Sequence, residues 1–185
     1  LFTIQHIIQT SSSDNRNNDT LYHFQDFYNY FSYDDGTPES AYGINSNGAK
    51  LAYEFKLNRP DTLRAIQMYF PQMSDTVNHI PFTLTVWSEI FGSETIVYQK
   101  EVFPVHTNNN KFYTYYIDSL FQLVGTFYIG WIQNSADLLN VGLDKNISAN
   151  DYMYYNIGSG WLNSSFLGSW MIRPVVSEKK IISNL

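Results

Sequence analysis

The sequence predicts an all-β fold, an antiparallel β-sandwich of jelly-roll type. Three observations carry that expectation. Apolar and polar residues alternate with period two over several short stretches, as in Leu51-Ala52-Tyr53-Glu54-Phe55-Lys56-Leu57. Turn signals recur at intervals of roughly 8–15 residues. No amphipathic stretch of helical period interrupts the series, which disfavours a βαβ arrangement. About eight to ten strands in two sheets, each burying one face, is the form this length suggests.

Taken in order, the chain opens with the apolar run Leu1-Phe2-Thr3-Ile4 and Ile7-Ile8, an edge strand or a docking tail. A polar run from Thr10 to Thr20 reads as a linker or surface loop. The strand at 51–57 is followed by an expected turn at Asn58-Arg59-Pro60-Asp61 and a strand around Ile66, Met68 and Phe70. A loop spans Pro71 to Pro81. Phe82, Leu84 and Val86 alternate with Thr83, Thr85 and Trp87 in the next strand. Thr95 to Val105 forms another, weakened at Pro104, and three asparagines at 108–110 make a turn. Two separate strands are expected at 112–117 and 125–133, short ones at 139–143 and 152–157, and a last one at 169–176. This divides the chain into an N-terminal tail (1–27), one β-sandwich domain (28–176) and a C-terminal tail (177–185). Phe55, Phe82, Leu84, Phe127 and Ile129 are the expected core, and Trp131 and Trp170 belong with them.

Composition narrows the function classes. The formal charge is −6, with no basic stripe, so nucleic acid and anionic membrane surfaces are poor partners. The absence of cysteine excludes disulfides, thiolate catalysis and Cys-ligated zinc. No apolar run reaches the ~18 residues of a membrane helix, so the chain is not expected to span a membrane by a helix. It starts at Leu1 with no signal-peptide pattern, which fits a processed protein or a piece of a longer one.

The densest chemistry lies in Tyr33-Asp34-Asp35-Gly36-Thr37-Pro38-Glu39-Ser40-Ala41-Tyr42-Gly43. Asp34, Asp35 and Glu39 offer oxygen ligands for calcium, and the loop from Asp144 to Asp151 offers more. The competing reading, which we prefer, is structural. Asx-turns cap backbone amides there, and Arg173, isolated in a charge-poor strand, supplies a counter-charge. Asp35 is the side chain expected to carry that structural role. Nothing in the sequence pairs two carboxylates for glycoside hydrolysis. The nucleophile elbow is missing, and the four histidines are scattered, so catalysis is not expected. Four tryptophans offer sugar platforms. Trp161 stands out because it sits with Asn163 in the loop Gly158-Ser159-Gly160-Trp161-Leu162-Asn163. It either presents a binding surface or folds back over the sheet. Tyr33 and Tyr42 complete the candidate binding set.

Several motifs occur in a recognisable order. They are Tyr33 to Gly43, Pro60-Asp61-Thr62-Leu63, Phe82 to Trp87, Gly125-Thr126-Phe127-Tyr128-Ile129-Gly130-Trp131, Gly142-Leu143-Asp144 and Gly168-Ser169-Trp170-Met171-Ile172-Arg173-Pro174. In this order they resemble a β-sandwich domain of large secreted and surface proteins of the Bacteroidota linked to type IX secretion. The resemblance covers roughly residues 28–176. It implies export and display at the cell surface, outer-membrane association, and a protein partner in a surface or secretion assembly. A glycan partner is the alternative. It implies no catalysis and no cofactor beyond the calcium already considered. The O-glycosylation pattern of such exported proteins, Asp followed by Ser or Thr and then an aliphatic residue, occurs at Thr20, Thr62, Thr76 and Ser119.

Overall fold

The computed structural model describes residues 2–8, 20–25, 29–72, 79–107 and 111–177. In chain order the strands are β1 (Phe2–Ile7), β2 (Thr20–Gln25), β3 (Ser40–Tyr42), β4 (Lys50–Met68), β5 (Phe82–Glu89), β6 (Thr95–Val102), β7 (Tyr113–Gln133), β8 (Val141–Asp144), β9 (Met153–Asn156), β10 (Leu162–Asn163), β11 (Ser169–Trp170) and β12 (Ile172–Val176). A 3-10 turn at Asn150–Tyr152 precedes β9. All strand pairs are antiparallel, and the all-β expectation holds. Among the described residues no helix is long and apolar enough to cross a membrane.

The frame is a ribbon of two long strands. β4 runs 19 residues and β7 runs 21, and they pair from Lys50↔Ile132 to Met68↔Tyr113. The turn expected at Asn58–Asp61 is therefore absent. The chain stays extended through it, with a shift of register between Leu57 and Asp61. Opposite that shift Gly125 takes φ +70°, open to glycine at no steric cost. Pro60 has no N–H to give to a ladder, so it is tolerated where the pairing lapses. A bulged ribbon bends there instead of reversing. The strands expected at 112–117 and 125–133 are likewise the two halves of β7, joined through the same bend.

The two halves of the ribbon recruit different neighbours. The first half of β4 and second half of β7 sit in a front layer ordered β10-β9-β4-β7-β5-β6. The second half of β4 pairs β12 on one side and the first half of β7 on the other. Tyr69, just beyond β4, extends this back layer. Its N–H donates to the Met171 carbonyl at 3.1 Å, and its carbonyl accepts from the Gly142 N–H at 2.9 Å. That stitches in β11, β8 and β3. β1 and β2 form a sheet of their own, from Phe2↔Gln25 to Ile7↔Thr20. β2 falls in a segment that the sequence assigns to the tail, because its pairing depends on a partner strand outside any local pattern. Of the polar run from Thr10 to Thr20 all but Thr20, the loop residues 73–78, the turn at 108–110 and the tail from 178 lie outside the described residues.

The inner faces of both layers meet in one core. Phe55, Phe82, Leu84, Phe127 and Ile129 are all buried, as expected, and so are Trp131 and Trp170. Rings bridge the layers. Tyr53 and Trp170 lie 5.5 Å apart, Trp131 and Trp170 6.3 Å, and Phe82 and Tyr115 5.9 Å between centroids. Each fully buried side chain of this size contributes about 1.5–3 kcal/mol relative to exposure.

Gly130, in the middle of β7, is a point of close backbone approach. A Cβ built on it would lie 1.8 Å from the Leu51 carbonyl oxygen of the neighbouring strand. Backbone cannot yield as a flexible side chain does, so we expect Gly130→Ala to destabilise the domain by about 1–3 kcal/mol or more. Chemical denaturation of the purified variant checks this, and an unchanged midpoint would contradict the close approach.

Candidate functional site

Two acidic loops far apart in sequence come together because β3 pairs β8, Ser40 opposite Leu143. The loop before β3 carries Asp34, Asp35 and Glu39, and Asp144 ends β8, with a loop following from Lys145. Asp144 is fully buried and accepts three backbone amides. These are Asp35 N–H at 2.7 Å, Asn146 N–H at 2.6 Å and Ile147 N–H at 3.3 Å. Glu39 accepts the Lys145 N–H at 2.8 Å, and the Asn146 side-chain amide donates to both Glu39 and Asp35 at 3.0 Å.

The carboxylates at 34, 35 and 39 do not converge. Asp34 faces away from the other two, toward Arg173. The Arg173 Nε donates to Asp34 Oδ2 at 3.1 Å and its Nη2 donates to Oδ1. Both residues are buried. The guanidinium also lies over the Phe112 ring at 3.9 Å and the Tyr30 ring at 4.8 Å. The pairing expected of Arg173 is thus present, inside the fold. Its neighbour Pro174 is covered as well, because Phe31 N–H donates to the Pro174 carbonyl at 3.1 Å. Asp35, the expected structural acid, is exposed, whereas Asp34 and Asp144 are buried. Thr37 donors, then the Asn146 amide and Arg173, hold the Asp35 carboxyl below the usual range. Among the described residues no group of three His, Cys, Asp or Glu side chains is arranged to hold a metal.

The remaining candidates are dispersed. The Tyr33 ring stacks within 5.3 Å of Tyr53, Phe55 and Tyr152, and its hydroxyl donates to the Glu54 carbonyl at 3.1 Å. Burial, then the nearby Tyr152 and Glu54, pushes that hydroxyl up to about 12. Tyr42 is buried against Trp170 and Phe166, and burial raises its hydroxyl too. Trp161 is half-buried on the outer face of the front layer, edge-on to Trp87 at 5.6 Å, beside Ala52 and Tyr128. Beneath it Trp87 donates to Glu94 at 2.8 Å, and Lys50 bonds the same carboxylate. Burial alone would raise Glu94, but these donors outweigh it and hold the carboxyl low. The Asn163 amide donates to the carbonyls of Asn150, Asp151 and Met153, tying the 3-10 turn to β10. Of the O-glycosylation candidates, Ser119 is exposed, Thr20 and Thr62 are half-buried, and Thr76 lies outside the described residues.

Two surface features go beyond the sequence reading, which reached only Tyr42 of the first. One is a groove of about 680 Å³ between β3 and β9, walled by Tyr42, Ile44, Tyr155, Ile157, Phe166 and Leu167. Ile157, Phe166 and Leu167 are largely exposed. The adjacent apolar pair Phe166-Leu167 in a Ser- and Gly-rich loop was the available signal. The other is a pair of strand edges. Among the described residues β6 pairs only β5, and the first half of β7 pairs only β4. Side chains bridge these edges. Asp118 accepts Tyr98 Oη at 3.0 Å and pairs Lys100 at 2.9 Å, and Tyr115 Oη donates to the Phe103 carbonyl at 2.8 Å. Ile96, Val97, Phe103, Tyr113 and Tyr116 are exposed along them.

Comparison of the sequence with protein-family models and with curated proteins gave no match.

Tests of stability follow from this region. Asp34→Ala leaves Arg173 buried without its partner and should cost about 3–5 kcal/mol. Arg173→Met combined with Asp34→Leu should recover much of that loss. The wild-type melting midpoint should be the same with calcium or chelator, and a drop caused by chelator alone would make the corner a metal site. Alkaline pH supplies the second test. The folded Tyr33 hydroxyl lies above its ordinary value of 10.0, at about 12, so its contribution is complete below pH 10 and is lost as pH rises through 12. Tyr33→Phe should flatten the stability profile between those values, and an unchanged slope would show that the hydroxyl stays solvated.

Proposed function

We propose that this chain is a non-catalytic interaction module of a larger exported protein or envelope assembly, displayed at the cell surface and associated with type IX secretion. The setting rests on the motif order set out above. The observation that favours a protein partner is the pair of edges formed by β6 and the first half of β7. An edge strand presents unpaired N–H and C=O groups to any extended chain that reaches it. Natural proteins usually shorten or block such edges. β6 is eight residues long, lacks proline and exposes Ile96 and Val97, outside the Tyr98 and Lys100 contacts that join it to Asp118 of β7. The fitting partner is an extended segment with alternating apolar side chains, added as a further strand.

The alternative, carbohydrate binding, is favoured by a different feature. An aromatic surface open to a sugar lies at the groove, where Phe166 is exposed, while Trp161 lies half-buried against Trp87.

The test uses a photo-crosslinking residue in place of Val97 or Tyr116, with Leu138 as a control position outside both edges, in cells that export the parent protein. A discrete crosslinked product at the edge positions and not at Leu138 is the expected result. No product, or the same products at all three positions, would sink the strand-addition reading.

A further inference from the structure

The groove between β3 and β9 combines three kinds of surface. The first is aromatic and aliphatic, with Phe166 the most open ring. Phe166 is fixed by its edge contact with Tyr42 at 5.4 Å, and its backbone N–H donates to the Ser164 hydroxyl at 3.3 Å. The second is neutral and polar. Ser40, Asn45 and Ser165 are among the lining residues, and side chains of these types both donate and accept. The third is a single charge, Lys145, the one charged residue in the lining. Its backbone N–H is held by Glu39, whereas its ammonium group makes no ion pair among the described residues. The volume, about 680 Å³, lies within the roughly 300–1,000 Å³ typical of ligand sites.

We infer that this groove binds an acidic saccharide, one carrying a carboxylate such as a uronic or sialic acid. A pyranose ring has an apolar C–H face that stacks on an exposed aromatic ring such as Phe166. Its hydroxyls match the Asn45 and Ser165 side chains. A carboxylate on the ring meets the Lys145 ammonium in a charge-assisted hydrogen bond. A neutral sugar would leave Lys145 unused, and the chain, at net charge −6, offers an anion little else. The inference rests on the carbohydrate reading and is independent of the strand edges.

The experiment is a binding titration of the purified chain against uronate- and sialate-bearing oligosaccharides and their neutral counterparts. Wild-type protein should bind at least one acidic member, and its neutral counterpart about tenfold more weakly or worse. Lys145→Glu should abolish the preference for acid. Phe166→Ala should weaken acidic and neutral sugars alike. Both side chains are exposed, so the variants should melt like wild type. Equal affinity for acidic and neutral sugars, or no effect of Lys145→Glu, would overturn the inference and leave the carbohydrate reading standing. No binding to any member would overturn both, and crosslinking at Val97 would be unaffected by that result.

Discussion

A strand of 19 residues, at about 3.3 Å per residue, would extend roughly 60 Å if it stayed straight, far beyond one sheet of a small sandwich. β4 and β7 meet that constraint together. Their register shift and Gly125 let the ribbon bend, so one pair of strands contributes to both layers. Much of the architecture follows. The front half of the ribbon collects β9 and β5, the back half collects β12, and the side chains between them close one core. β6 and the first half of β7 are left as edges, joined by Tyr98, Lys100 and Asp118 side chains in place of a ladder.

Charge is handled by a different device at the opposite corner. Burying a carboxylate in an apolar interior is costly unless donors replace its water. Asp144 receives backbone amides from two loops, and Asp34 receives the Arg173 fork. Asp34 and Arg173 are 139 residues apart, so the pair fixes the start of the domain against its last strand. The rings of Phe112 and Tyr30 cover the guanidinium and draw the first half of β7 into the same arrangement. The acids that remain outside, Asp35 and Glu39, share Asn146 and hold the loop surface.

The fold class was legible because alternation is local. Residues 51–57 and 82–87 announce their buried faces without any knowledge of their partners. The length of β4 was not legible. Asn58-Arg59-Pro60-Asp61 has turn chemistry, and only pairing with β7 keeps it extended. β3 was hidden for a similar reason, since three residues next to a turn carry too little pattern to declare a strand. At the site, the search of Arg173 for a carboxylate could be read from its charge-poor surroundings. Which acid it would find depended on residues 30–31 lying against β12, where the Phe31 N–H donates to the Pro174 carbonyl. The groove was least visible of all. Phe166 and Lys145 lie 21 positions apart, on two loops brought together by sheets the sequence does not order.

The long ribbon also governs how the chain reaches its native state. Lys50 pairs with Ile132, and Ile172 pairs with Met68, so the central strands have few partners close to them in sequence. Topologies dominated by such distant pairings fold slowly, since loop closure must be paid in entropy before contacts repay it. A chain delivered from its N-terminus, whether by a ribosome or through a translocation pore, presents β4 with no partner strand until β7 arrives. β12 and Arg173 come later still. The apolar face of β4 waits uncovered until then, and the core closes only when β12, the last strand, is in place.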